Sequence, residues 1–252
     1  MKPTISTGSF TTSPLSHLQQ LSGNKTIAKK SKDFLAFSLA CEYGNRHGIM
    51  ANDNLWRGWL MDKEEIKASI AEIIYQAFKD KIKYFWFWTD NKTKALDLIQ
   101  KGLDLSQVCT LTNDQGQIVA CATIETANSG LAIDLSYKDF RKSFNPLTGL
   151  VRQIVYTIYK GAQKTAQEDE VYVDLAAVSP AFRSQGYGGQ LFEKLETLCQ
   201  EKQKNKLSLD VVDSNQAAKS FYERIGFEQV GYEQMNILFR QFTKKAGFAG
   251  VY

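Results

Sequence analysis

The sequence predicts a mixed α/β domain, on three observations. Val171–Val178 (VYVDLAAV) is an apolar run of strand length that bends at Ser179-Pro180, then enters a glycine-spaced loop, and a helix from about Gly188 to Lys202 follows. Val108–Thr112 and Gln117–Glu125 alternate as strands around Asn113-Asp114-Gln115-Gly116, a strong hairpin turn. Ile66, Ile70, Ile73, Ile74, Ala77 and Phe78 recur at helical spacing behind Asp62 and Glu65, which together resemble a capping box.

Taken in order, Asp33–Tyr43 (DFLAFSLACEY) reads as a short helix stopped by Gly44, residues 45–54 as loop, and Leu55–Leu60 as a strand leading into the helix behind Asp62. Lys83–Trp88 (KYFWFW) is aromatic on consecutive positions, which suits the packing of a second helix onto a sheet. Thr93–Leu105 reads as a further helix, and the hairpin comes next. Residues 136–166 are longer than a simple connection, and Gly149–Tyr159 within them is helical with an apolar face. After the helix that closes near Lys202 comes another strand–helix pair. Phe227–Tyr232 and Asn236–Phe242 then read as two closing antiparallel strands, and residues 244–252 carry no signal.

Composition sets the bounds. A hydrophobic share of 43% supports a core, and the absence of any apolar run near 18 residues excludes a membrane-spanning helix. A net charge of +4 without a basic stripe suits a polyanionic small ligand and does not call for nucleic acid. Cys41, Cys109, Cys121 and Cys199 lack metal-ligand spacing, and with His17 and His47 alone beside them no zinc site is expected; free thiols are. Residues 1–32 hold five lysines and no acidic residue, yet no apolar segment of a secretory leader. They read as a flexible tail, with an organelle-targeting or effector-secretion segment as the alternatives to a cytoplasmic location.

The glycine loop carries the chemistry. A helix start offers backbone N–H groups without intrahelical partners and the positive end of the helix dipole. Gly186, Gly188 and Gly189 remove Cβ atoms there, so that a phosphate can rest on the amides, and Arg183 adds a cation at the mouth. This is a seat for a diphosphate. Arg183-x-x-Gly186-x-Gly188 does not complete a dinucleotide fingerprint, and no Walker Lys-Ser/Thr pair follows.

A strand ending in Ala-Val-Ser-Pro before R-x-x-G-x-G resembles motif A of the GNAT superfamily of N-acetyltransferases, and LSLDVVDSNQAAKSFYERIGFEQVGY (residues 207–232) resembles its motif B. The resemblance implies a GNAT acyl-CoA N-acyltransferase fold, a mostly antiparallel mixed sheet splayed between its fourth and fifth strands and flanked by helices. It implies a domain over residues 55–243, an N-terminal extension over 33–54, and acetyl-CoA as co-substrate with no metal. Arg183, Ser184, Gln185, Gly186, Tyr187, Gly188 and Gly189 would bind the pyrophosphate. Ala176 and Ala177 would lie beside the cofactor, the Val178 N–H would face the oxyanion, and Asn215 would contact the pantetheine arm. By the same resemblance the aromatic segment and the 136–166 insertion would border the acceptor groove.

Acetyl transfer to an amine also needs an acid for the leaving thiolate and a base for the ammonium. Tyr222 matches the family's acid, and packing is its competing role. For the base, Asp174, Glu125 and Asp210 stay open, each a strand residue that could equally be solvated or paired. The expected reaction is direct attack by an amine-bearing small molecule or protein, with homodimer formation open. A non-catalytic acyl-CoA-binding regulatory module, or an acyltransferase with a different donor, are the alternatives.

Overall fold

A computed structural model describes residues 6–12, 62–161, 165–212 and 215–234. The elements below belong to one compact unit built from residues 1–14 and 63–252. The expected helix Asp33–Tyr43 and the strands Leu55–Leu60 and Asn236–Phe242 lie outside the described residues, as do residues 244–252.

The strands are β1 (Ser6–Thr12), β2 (Val108–Thr112), β3 (Ile118–Glu125), β4 (Glu170–Val178), β5 (Lys206–Val212) and β6 (Glu228–Gln234). They form one sheet in the order β2-β3-β4-β5-β1-β6, antiparallel throughout except where β4 meets β5. The fold is therefore mixed α/β with a mostly antiparallel open sheet. Flanking it are α1 (Lys63–Ala77), α2 (Lys92–Gly102), α3 (Tyr137–Ser143), α4 (Pro146–Gly161), α5 (Tyr187–Glu201) and α6 (Gln216–Arg224).

The hairpin forms where expected. Asn113 Oδ1 accepts from the amides of Gln115 (3.1 Å) and Gln117 (2.9 Å), and Gly116 takes φ +76°, which L side chains resist. α2 begins one residue early because Asn91 caps it, accepting from the Lys94 amide at 3.0 Å. It also stops short of Leu105, which opens a separate 3-10 turn capped by Asp104.

The N-terminus departs from expectation. Instead of a flexible tail throughout residues 1–32, Ser6–Thr12 form β1, hydrogen-bonded between β5 (Thr7 opposite Val212) and β6 (Thr7 opposite Glu233). Three threonines suit an extended backbone, but the segment lacks the apolar alternation by which strands announce themselves.

Alternation divides the sheet into two faces. Val171, Val173, Leu207 and Leu209 meet Leu191, Phe192, Leu195 and Cys199 of α5 in the main core. On the opposite face, α1 packs Ile70, Ile74 and their neighbours against β3 and β4. Glu170 is fully buried, bonded to Ser208 Oγ and the Gln167 amide (2.9 Å), with Lys206 Nζ at 3.4 Å. Cys109, Cys121 and Cys199 are free and buried.

The aromatic segment takes its expected packing role. Ile82–Trp86 is a π-helical turn; Phe85, Trp86 and Phe87 are buried, and Phe87 stacks edge-on against Phe140 of α3 at 6.2 Å. Trp88 remains 42% exposed, at φ +50°. α4 turns its apolar stripe outward: Leu147 and Ile158 are 74% and 60% exposed, while Tyr156 faces in and donates to the Ile133 carbonyl at 2.7 Å. Among the described residues no helix is long and apolar enough to cross a membrane.

Candidate functional site

The site grows out of a gap between β4 and β5. The two strands pair in parallel over Glu170–Val173 and Lys206–Leu209, and the register ends there. On its other side β4 stays with β3 to Val178, but the ladder skips Asp174, which bulges between Val173 and Leu175. The Leu175 amide donates to Thr123 Oγ1 (3.1 Å) and the Ser179 amide to the Val119 carbonyl (2.8 Å), so these odd-numbered positions face β3. Alternation then turns the amides of Ala176 and Val178 toward the gap.

Directly beyond Val178 the chain turns through Pro180–Phe182 into the glycine loop. Ser184 and Gly186 take left-handed φ values of +60° and +85°, and Gly186 is the N-cap of α5. The first bond within α5 runs from the Gln190 amide to the Gly186 carbonyl, so the amides of Tyr187, Gly188 and Gly189 precede it. A Cβ on Gly189 would meet nothing within 4 Å, and one on Gly186 only the tip of Gln190. That open space against free amides fits a diphosphate.

Gly188 corrects the sequence reading. Its missing Cβ does not open the cradle; it admits Phe221 of α6, whose ring would lie 3.2 Å from such an atom, with Val178 Cγ2 at 3.9 Å. Gly188 thus sets how closely α6, α5 and the end of β4 approach one another. Arg183 is exposed, and its Nε donates back to the Val178 carbonyl at 3.3 Å. Gln185 likewise folds back, donating to the Ala181 carbonyl at 3.1 Å.

α6 is capped by Asn215, whose side chain accepts from the Ala218 amide at 3.1 Å. Tyr222 sits among Phe192, Phe221 and Phe227, with ring centroids 5.4–5.7 Å apart, and burial pushes its phenol up to about 12.

The three carboxylates have separate surroundings. Glu125, at the end of β3, is buried; desolvation and the neighbouring Asp174 charge raise it to about 7, against an opposing pull from Lys81. Asp174 Oδ1 lies 3.9 Å from Lys81 Nζ. Asp210 on β5 accepts from the Tyr172 hydroxyl at 3.3 Å, and desolvation followed by that charge drives the Tyr172 phenol far up. The structure therefore groups Glu125 with Asp174 and gives Asp210 a phenol partner.

Lys81, which sequence reasoning missed, completes this cluster with Trp86 of the aromatic segment and Tyr159 of the insertion. Lys81 Nζ lies over the rings of Trp86 (5.3 Å), Tyr159 (5.5 Å) and Phe78 (5.8 Å). Lys81 has no motif of its own, and only the pairing of α4 with the aromatic turn brings it there.

The profile of the acetyltransferase (GNAT) family matches residues 71–227, most of the described unit. Over 63 residues the chain is 35% identical to a Bacillus subtilis (strain 168) protein provisionally named as a ribosomal protein bS18 alanine N-acetyltransferase, covering 25% of this chain and 42% of that one. Over 64 residues it is 36% identical to the uncharacterized N-acetyltransferase YesJ of the same organism, covering 25% of this chain and 36% of that one. The chain thus spans less than half the length of these curated relatives. Solved structures that resemble it include an N-acetyltransferase from Staphylococcus aureus Mu50 (TM-score 0.47, 21% identity, 67% of this chain and 88% of that one). Another is the aminoglycoside N-acetyltransferase AAC(6')-Iy in complex with CoA (TM-score 0.39, 14% identity, 68% and 84%).

Proposed function

Since the chain belongs to the acetyltransferase (GNAT) family, we propose that it is an N-acetyltransferase that moves acetyl from acetyl-CoA to a primary amine by direct attack. The observation that carries this is the unpaired stretch of β4 ending beside the free amides of α5. The α5 amides and Arg183 would hold the pyrophosphate, and the Ala176 and Val178 amides the arm and the thioester carbonyl. Acetyl-CoA supplies the activated acyl group. Glu125 takes the proton from the attacking ammonium, the new N–C bond forms as the C–S bond breaks, and Tyr222 donates to the departing sulfur. A phenol held near 12 stays protonated through neutral pH, as that role requires. Titration calorimetry with acetyl-CoA tests the reading directly, and absence of binding at millimolar ligand overturns it.

Glu125 makes the pH dependence explicit. Because it must be ionised to accept a proton, kcat/KM should climb about tenfold per pH unit below pH 7 and level off above it. Glu125→Gln should lower the plateau by about 10²–10³-fold and abolish that limb. Its effect on stability has the opposite sense. A carboxyl raised from 4.5 to about 7 favours the folded state fully below its unfolded value, and that contribution is lost as pH rises to 7. Above pH 7 the buried charge costs on the order of 3 kcal/mol, so Glu125→Gln should melt higher than wild type at pH 8 and alike at pH 4. Equal melting temperatures at pH 8 would show that Glu125 is not held in this state.

Arg183→Ala should be mild. It removes one exposed charge and leaves the amides and helix dipole, so acetyl-CoA should bind about tenfold more weakly, with an unchanged melting temperature. A thousandfold loss would mean that the guanidinium, rather than the backbone, is the main anchor.

A further inference from the structure

On the α4 side of the sheet a small pocket of about 20 Å³, room for one water-sized group, opens between the aromatic turn, residues 131–133 and α4, lined by Trp86, Leu131, Ile133, Tyr156, Tyr159 and Asp174. The Asp174 bulge belongs at once to the lining of this pocket and to the start of the β4–β5 gap. Its composition is selective. The walls are aromatic faces, which attract cations. At the rim, Lys160 Nζ is held by Asp134 Oδ1 at 2.6 Å, so that cation is spent.

Lys81 shows what the cage accepts. Its ammonium lies over Trp86 and Tyr159, yet its contact with Asp174 is long at 3.9 Å, and its side chain is 30% exposed. One lysine faces three carboxyl groups here, Asp174, Asp210 and the buried Glu125. With Glu125 ionised, above pH 7, the cluster lacks positive charge that an incoming ammonium would supply, whereas an anionic acceptor would meet the carboxylates.

We propose that this pocket seats the ammonium head of an alkylamine acceptor, and that Lys81 is a specificity-determining residue whose ammonium occupies the cation position until the acceptor displaces it from Asp174. The proposal rests on the acetyl-transfer reading, and it locates the acceptor's entry between α4 and the aromatic turn. Removing Lys81 should therefore strengthen the binding of a cation, contrary to what loss of a merely structural residue would do.

The probe is n-pentylammonium, with n-pentanol and valerate as neutral and anionic counterparts of like length. Binding is read by ¹⁹F NMR of full-length protein carrying 5-fluorotryptophan, the Trp86 resonance being assigned with Trp86→Phe. Pentylammonium should shift that resonance at millimolar concentration, while pentanol and valerate should not. Lys81→Met should tighten its binding at least threefold, and Asp174→Asn should weaken it at least tenfold. Lys81→Arg, which keeps the cage filled, should stay near wild type; it is the fallback should Lys81→Met fail to fold, and tenfold tighter binding there would overturn the displacement. Equal binding of pentylammonium and pentanol, or weaker binding to Lys81→Met, overturns the assignment. A parallel acetyl-CoA titration separates the two levels. Loss of acetyl-CoA binding by wild type sinks the reading beneath, and loss of cation selectivity with acetyl-CoA bound sinks only the pocket.

Discussion

Deleting residues 1–12 should unfold the half of the sheet beyond β4, and with it the enzyme. β1 is an interior strand: it pairs with β5 over Thr7–Thr12 and with β6 over Ser6–Thr11, so its loss strips a ladder from both neighbours. Two unpaired edges would then face solvent, an arrangement prone to association. A domain's whole stability is only about 5–15 kcal/mol, and losing an interior strand should remove a large part of it. The expected result is insoluble protein, or a soluble product whose urea midpoint falls by more than half. A synthetic peptide of residues 1–14 added during refolding should restore the wild-type midpoint. Ser9→Pro, which withdraws one ladder donor from the same strand, should give a smaller loss in the same direction. A truncated protein that melts within about 2 °C of wild type would remove β1 from the sheet.

Gly188→Val should abolish acetyl-CoA binding for a reason unlike that of Gly186. At Gly188 the added carbon meets the Phe221 ring at 3.2 Å, so α6 must move away from α5 and from Val178. Overpacking of this kind costs about 1–3 kcal/mol, and it displaces the two groups, Val178 and Tyr222, proposed to face the thioester. We expect affinity to fall more than about a hundredfold, with a measurable drop in melting temperature. Gly188→Ala combined with Phe221→Leu should recover most of the affinity, because the clash is with the ring edge. At Gly186 there is space for a side chain but φ is +85°, so Gly186→Ala should lose only about 1 kcal/mol of stability to backbone strain. Calorimetry on the double variant decides the matter: failure to recover would return Gly188 to the cradle.

Local signals carried much of this structure. The run from Val171 through Gly189 and the Asn113–Gly116 turn each depend on residues within a few positions, and their elements begin and end close to where the spacing puts them. What escaped depends on distant partners. Ser6–Thr12 became a strand because β5 and β6 flank it, about 200 residues later in the chain. Lys81 joined Asp174 through the packing of a π-helical turn whose hydrogen bonding no periodicity announces. Gly188 looked like a phosphate seat because its neighbours do, and only the approach of α6 assigns it to packing. Among the carboxylates, residue type left Asp174, Glu125 and Asp210 equal; burial and neighbouring charge separate them.

The short ladder between β4 and β5 has a mechanical meaning. It divides the sheet into two leaves, β2-β3-β4 and β5-β1-β6, stitched over only four residue pairs. Within each leaf the strands are bonded along most of their length, so deformation concentrates at the seam, and local opening there is the least costly route for the sheet. α5 spans the seam, packing on β4 and β5 alike, and acts as its main brace. A molecule lying in the opening touches both leaves and so becomes a second brace, and the protein grips such a guest by closing a crack already present in its own sheet.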